Sequence, residues 1–145
     1  MRIAFGTDED TSLTVELREV LVGLGHEVIP VASGAAWPEV GRGVGEAVAS
    51  GVADRGIVCC WTGTGVSIAA NKVPGVRAAL CGDAPTVIGA RRWNDANVLA
   101  LSLRLTSPAV ARELLGAFLD TPVDPGEGTV IARVDARPGG DQPLF

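Results

Sequence analysis

A single histidine, His26, is all the imidazole this chain has, and its three cysteines are too few for a disulfide framework. Cys59 and Cys60 are adjacent, so in a strand they face opposite sides; no metal-ligand spacing occurs anywhere, and no metal is expected. No apolar run approaches the roughly 18 residues of a membrane-spanning helix. Basic residues are in deficit: 12 Lys and Arg against 17 Asp and Glu leave a formal charge of −5, which argues against nucleic acid or an anionic membrane as partner. A Gly-Lys-Ser/Thr loop is absent, and Gly63-Thr64-Gly65 lacks the third glycine of a dinucleotide fingerprint. The chain begins at once with strand-like Arg2 to Gly6, without the basic and apolar stretches of a signal peptide, so a cytoplasmic setting is expected.

What remains is a chain of 145 residues that is 47% apolar, enough for one domain with a real core. Its pattern is repetitive. Apolar runs at 2–6, 27–31, 56–60, 76–80 and 98–101 read as strands. Between and after them, Leu13, Leu17, Val20, Leu21 and Leu24, then Val40, Val44, Ala47 and Val48, then 65–72, 83–92 and 107–119 read as helices. Five β-then-α units predict an α/β domain, a doubly wound parallel sheet of five strands with helices on both faces. Ligands of such domains sit beyond the carboxyl ends of the strands, at loops 7–12, 60–65, 81–84 and 102–106, and the region from the fourth helix to the fifth strand can join them if a substrate reaches across. The domain is expected to span 1–120. Residues 121–145, punctuated by prolines and glycines, read as an arm that packs on a partner, with 129–136 a short helix or a strand.

Gly56 to Lys72, GIVCCWTGTGVSIAANK, stands out. A buried strand ends at Cys60, Gly63 and Gly65 open a tight turn, and a helix follows. The thiol therefore lies before unpaired backbone N–H groups and the positive end of a helix dipole, which favour thiolates and anions.

Cys60-Trp61-Thr62-Gly63-Thr64-Gly65-Val66-Ser67 through Ala79, followed by Asn94-Asp95-Ala96-Asn97-Val98-Leu99-Ala100, resembles the ribose-5-phosphate isomerase B and galactose-6-phosphate isomerase family over roughly residues 2 to 120. The resemblance implies a Rossmann-like domain that forms dimers or tetramers with active sites shared between subunits, and aldose–ketose isomerisation through an enediolate without metal or organic cofactor. By position, Cys60 matches the family's catalytic base, Thr62 the hydroxyl that assists proton transfer, and loop 61–65 the amides that stabilise the enediolate. Asp8 and Asn94 match substrate-contacting positions. Trp61, Gly63, Gly65 and Ser67 line the same turn. The family's phosphate-binding arginines lie near the carboxyl terminus, where Arg133 and Arg137 stand here; Arg104, after the fifth strand, is a further candidate.

The chain also departs from that family. Trp93 stands where a ring-opening histidine is usual, and indole exchanges no proton at neutral pH. Glu9 replaces a phosphate-contacting histidine; a carboxylate about 4 Å from a phosphate charge costs about 4 kcal/mol at an effective dielectric of about 20. Trp61 replaces a small residue and Trp37 a tyrosine, so the three tryptophans border the pocket or serve core or dimer packing. Cys59 and Cys81 read as core residues, His26 as a surface or strand-cap residue away from the site, and Lys72 as a helix-terminal charge, while Arg91 and Arg92 fit a solvated helix end as well as they fit ligand contacts. Three functions stay open: an isomerase for a small sugar phosphate other than cyclic ribose 5-phosphate, with a four-carbon sugar attractive because it cannot close a five-membered ring; an epimerase or elimination enzyme for a modified, unphosphorylated sugar; and a catalytically silent binding subunit.

Overall fold

A computed structural model describes residues 1–135. Strands β1 (Arg2–Thr7), β2 (Glu27–Pro30), β3 (Arg55–Cys60), β4 (Ala78–Leu80) and β5 (Val98–Ser102) alternate with helices α1 (Ser12–Gly23), α2 (Trp37–Ala49), α3 (Thr64–Asn71), α4 (Ala84–Asn94) and α5 (Pro108–Asp120). All four strand pairings are parallel, in the order β2-β1-β3-β5-β4. The expected doubly wound α/β domain is what forms.

Helix starts follow local chemistry. Thr11 and Thr14 make a reciprocal capping box before α1, Asp83 accepts from the Thr86 N–H at the start of α4, and Ser107 accepts from the Val110 N–H at the start of α5, with Pro38, Pro85 and Pro108 placed in first turns. Strand alternation then divides the core. Ile3, Phe5, Ile57, Cys59, Leu99 and Leu101 face α1, α4 and α5, while Ala4, Val58, Cys60, Val98 and Ala100 face α2 and α3. The two adjacent cysteines thus enter different core layers, and Cys59 and Cys81 are buried as expected.

One expectation is sharpened and another is overturned. A parallel crossover must return the chain to the amino-terminal edge of the sheet before the next strand begins. Helix α4 starts beside the end of β4 and runs through Asn94, so Trp93 and Asn94 lie at the edge opposite Cys60, and the α4 to β5 connection does not join the carboxyl-edge loops of its own chain. Arg91 is no solvated helix end. It is 5% exposed, and its guanidinium donates to Asp95 Oδ1 (2.9 Å) and to the carbonyls of Ala96 (2.6 Å) and Thr121 (3.1 Å).

The Asn94-Asp95-Ala96-Asn97 stretch is therefore partly a brace. Asp95, with a left-handed backbone (φ 46°), pairs with both Arg91 and Arg77, and Asn97 bonds the Arg77 N–H and the Gly75 carbonyl. Asn71 closes the outer edge of β4 by exchanging two hydrogen bonds with the Ala78 backbone, which blunts an otherwise open strand. After α5 the chain forms a 3-10 turn at Pro125–Glu127 and a one-turn helix, α6 (Gly128–Ile131), and returns to the same corner, where Asp135 lies 3.7 Å from Arg77. Among the described residues no helix is long and apolar enough to cross a membrane.

Candidate functional site

Strands β1 and β3 are neighbours from which the chain leaves in opposite directions across the sheet, so a crevice forms beyond their carboxyl ends. Cys60 ends β3 there. Its side chain is 5% exposed and joins the apolar layer of Val40, Val58, Val66 and Ala100. The turn after it is pinned from β5: the Leu103 N–H donates to the Cys60 carbonyl (3.0 Å), and the Arg104 N–H and Ser102 hydroxyl both donate to the Trp61 carbonyl (3.0 Å each). Ser102 is buried and also accepts from the Leu105 N–H, so one hydroxyl ties the two carboxyl-edge loops together. Its role depends on the β3–β5 register, which single-sequence reading does not reach.

Gly63 caps α3 with a left-handed backbone (φ 76°) and no side-chain hydrogen bond, leaving the first amides of α3 without a capping partner. Glycine is required twice over: a Cβ here would lie 2.5 Å from Leu80 Cδ1 and 2.9 Å from the Leu101 carbonyl carbon. Gly65 is close-packed for another reason, since a Cβ there would meet the Trp37 indole at 2.8 Å. Ser67 sits one turn into α3, half-buried, its N–H bonded to the Gly63 carbonyl. The hydroxyls of Thr62 and Thr64 lie 2.6 Å apart. Thr64 is a residue that the motif alone did not single out.

Across the crevice, the Asp8 N–H donates to the Cys59 carbonyl (3.3 Å), which places Asp8 one residue past the Thr7–Cys59 pair of the β1–β3 ladder. Asp8 Oδ1 is buried without a hydrogen-bond partner among the described residues, and desolvation raises the carboxyl above its ordinary pKa. A buried oxygen of this kind is an acceptor to which a sugar hydroxyl can donate. Glu9 is exposed: Thr7 Oγ1 donates to the Glu9 carbonyl (2.7 Å) in a tight turn, and among the described residues no arginine pairs with its carboxylate. Arg18 instead pairs with Asp10, whose carboxyl that hydrogen bond holds low. Burial pushes Cys81, at the end of β4, up to about 11, with Asp83 adding to the effect, so it is a thiol at neutral pH.

The structure thus brings Asp8, Cys60, Trp61, Thr62, Gly63, Gly65 and Arg104 to one edge. It places Trp93, Asn94 and Arg133 elsewhere. Trp93 is 57% exposed and lies against Gly89; it fronts a groove of about 540 Å³ with Leu80, Cys81 and Pro85. Asn94 is shared between that groove and one of about 530 Å³ lined by Asn71, Arg77 and Val134. Arg133 is exposed in the turn after α6, two residues before Asp135, and Arg137 lies outside the described residues. Neither groove reaches Cys60. The tryptophans are not core residues: Trp37 and Trp61 are 44% and 59% exposed.

Comparison with known proteins places the chain as a whole. Residues 3–136 match the ribose/galactose isomerase family. D-erythrulose-4-phosphate isomerase of Pectobacterium atrosepticum is 40% identical over 97 residues, which cover 67% of this chain and 64% of that protein, just under two thirds of its length. Ribose-5-phosphate isomerase B of Escherichia coli is 37% identical over 130 residues, covering 86% and 87% of the two chains. The structure of ribose-5-phosphate isomerase B from Clostridium thermocellum superposes with a TM-score of 0.88 at 37% identity, covering 93% of this chain and 95% of that one. A match across nearly the whole described chain, in sequence and in fold, settles the assignment: this chain belongs to the ribose/galactose isomerase family of sugar-phosphate isomerases.

Proposed function

We propose that the chain is an aldose–ketose isomerase for a four-carbon sugar phosphate that stays open-chain, working through an enediolate without a cofactor. The observation that carries this reading is Cys60 at the end of β3, immediately ahead of the turn at Gly63 and the uncapped amides of α3. Removing a proton next to a carbonyl takes a base and donors aimed at the oxygen that becomes negative. In this reading Cys60 is the base, Thr62 moves the oxygen-borne proton, and the α3 amides hold the oxyanion. Asp8 Oδ1 accepts from a sugar hydroxyl. Arg104, on the same edge and tied through its backbone to Trp61, is the cation offered to the phosphate.

Substrate length follows from what is missing. Trp93 cannot open a ring, and a tetrose esterified at its terminal hydroxyl has no five-membered ring to open. The Pectobacterium relative is named for a four-carbon substrate, which supports this length. Trp93, Asn94 and Arg133 lie away from Cys60 in one chain, so they can serve as substrate contacts only at the site of a second copy; a homodimer or tetramer with shared sites, in which residues 121–145 act as an arm, fits that placement. A cytoplasmic enzyme fits a base that must remain a free thiol, since that compartment keeps thiols reduced.

The test is turnover of D-erythrulose 4-phosphate and D-ribose 5-phosphate followed by NMR. A kcat/KM at least tenfold higher for the four-carbon substrate is expected. Glu9, exposed and without an arginine partner among the described residues, favours a second reading in which the sugar carries no phosphate. Thermal stabilisation by neutral or amino sugars, and none by phosphosugars, would support that one instead.

A further inference from the structure

Thr62 and Thr64 flank the turn glycine, and their hydroxyl oxygens are 2.6 Å apart, short even for an O–H···O pair. Both side chains are exposed, and neither hydroxyl bonds any other group among the described residues. The α3 cap makes no use of them. This bond therefore serves no visible structural purpose.

We infer that Thr64 is a positioning residue for the proton shuttle, its hydroxyl donating to Thr62 Oγ1 so that the Thr62 proton stays available to substrate. The inference rests on the isomerase reading above and extends it to a residue outside the Cys60–Thr62 pair. When the base takes the proton from C2 of an aldose, the C–H electron pair becomes the C1=C2 bond and the carbonyl pair moves onto O1. A proton must then reach O1 and another must leave O2, before the base returns its proton to C1. A hydroxyl spanning O1 and O2 does both, giving its proton to O1 and taking the one from O2, and ends unchanged.

A threonine hydroxyl has one donor and two acceptor positions. With Thr64 filling one acceptor, Thr62 keeps one donor and one acceptor, the complement that the exchange uses. The opposite orientation would spend the only donor of Thr62 on Thr64. Donation by Thr64 also polarises the Thr62 O–H, making it a better donor to the oxyanion.

The experiment compares wild type, Thr64→Val, Thr64→Ser and Cys60→Ala supplied with the aldose D-erythrose 4-phosphate, following its conversion to the ketose and solvent deuterium uptake at the C2 of unconverted aldose together. Valine keeps the shape and loses the hydroxyl. In Thr64→Val, kcat is expected to fall about tenfold with KM within about twofold, while C2 exchange persists, so the ratio of exchange to conversion rises. Thr64→Ser should recover both. An unchanged ratio in Thr64→Val, or a serine variant as impaired as the valine one, would overturn the inference while a converting wild type leaves the isomerase reading standing. A wild type that neither converts nor exchanges any sugar phosphate removes both; Cys60→Ala that exchanges as wild type does removes the base assignment alone.

Discussion

The indole of Trp37, at the start of α2, lies against Gly65 in the first turn of α3, so close that a methyl group on Gly65 would sit 2.8 Å from the ring. This contact crosses between two helices and abuts the turn that carries the candidate oxyanion site. Gly65→Ala should therefore cost about 1–3 kcal/mol of stability through overpacking. In a Trp37→Ala background the same substitution should stabilise by up to about 1 kcal/mol, because alanine is the better helix former once the ring is gone. A urea-denaturation cycle over the four proteins measures the coupling, and strictly additive effects would contradict the packing account.

Gly63 differs in what it meets. Its would-be Cβ collides with backbone, the Leu101 carbonyl carbon at 2.9 Å, and its φ of 76° disfavours any L side chain. Neither obstacle can swing aside. Gly63→Ala should lose about 3 kcal/mol or more and abolish turnover, with no rescue by truncating Leu80, the side-chain half of the clash. Thermal melts of the single and double variants check this.

Asp95 holds the buried Arg91 and the half-buried Arg77. Asp95→Asn keeps a residue that tolerates the left-handed backbone while removing the charge. It should cost about 3 kcal/mol, since Arg91 retains its two carbonyl partners but loses its counter-charge. The exposed Arg112–Glu16 pair serves as control, and Arg112→Gln should change stability by less than about 1 kcal/mol.

The raised pKa of Asp8 gives a pH signature. An acid raised on folding binds its proton more tightly in the folded state, so its ionisation costs stability; that cost is full above the folded value and vanishes as pH falls below the unfolded value of about 3.9. Asp8→Asn should thus stabilise the ligand-free protein at pH 7, with the gain shrinking toward acid, while impairing turnover. Denaturant midpoints at pH 7 and near pH 4 would show it. A variant less stable than wild type at pH 7 would refute the desolvation argument.

Much of the frame was legible in the residues. The alternation of Ile3, Ala4 and Phe5 or of Val58, Cys59 and Cys60 specifies strands buried on both faces, and the leucines of α1 and α5 fall at helical spacing, so the five βα units and the strand-end thiol could be read directly. Gly63 was legible as a turn because only glycine suits that backbone. That Trp93 and Asn94 lie across the sheet from Cys60 within one chain was not legible locally, because their edge depends on how far α4 runs before β5, a consequence of chain path rather than of local propensity. Arg91 was misread on two counts: its i,i+4 spacing to Asp95 offered a local partner, and the Thr121 carbonyl that helps to bury it arrives only when α5 packs against α4. Ser102, Thr64 and the Trp37–Gly65 contact were invisible for the same reason: each depends on which neighbour the fold delivers, and a lone hydroxyl or indole in a sequence does not announce its partner.

Cys60 as the base is tested most directly by deuterium exchange. Cys60→Ala removes one sulfur from the apolar layer around Val58 and Val66 and should leave a folded protein. Wild type incubated in D2O with D-erythrulose 4-phosphate is expected to incorporate deuterium at the carbon next to the carbonyl, and the Cys60→Ala protein, matched by circular dichroism, should do so about a hundredfold to ten-thousandfold more slowly. Exchange in the variant within about tenfold of wild type would contradict Cys60 as the base.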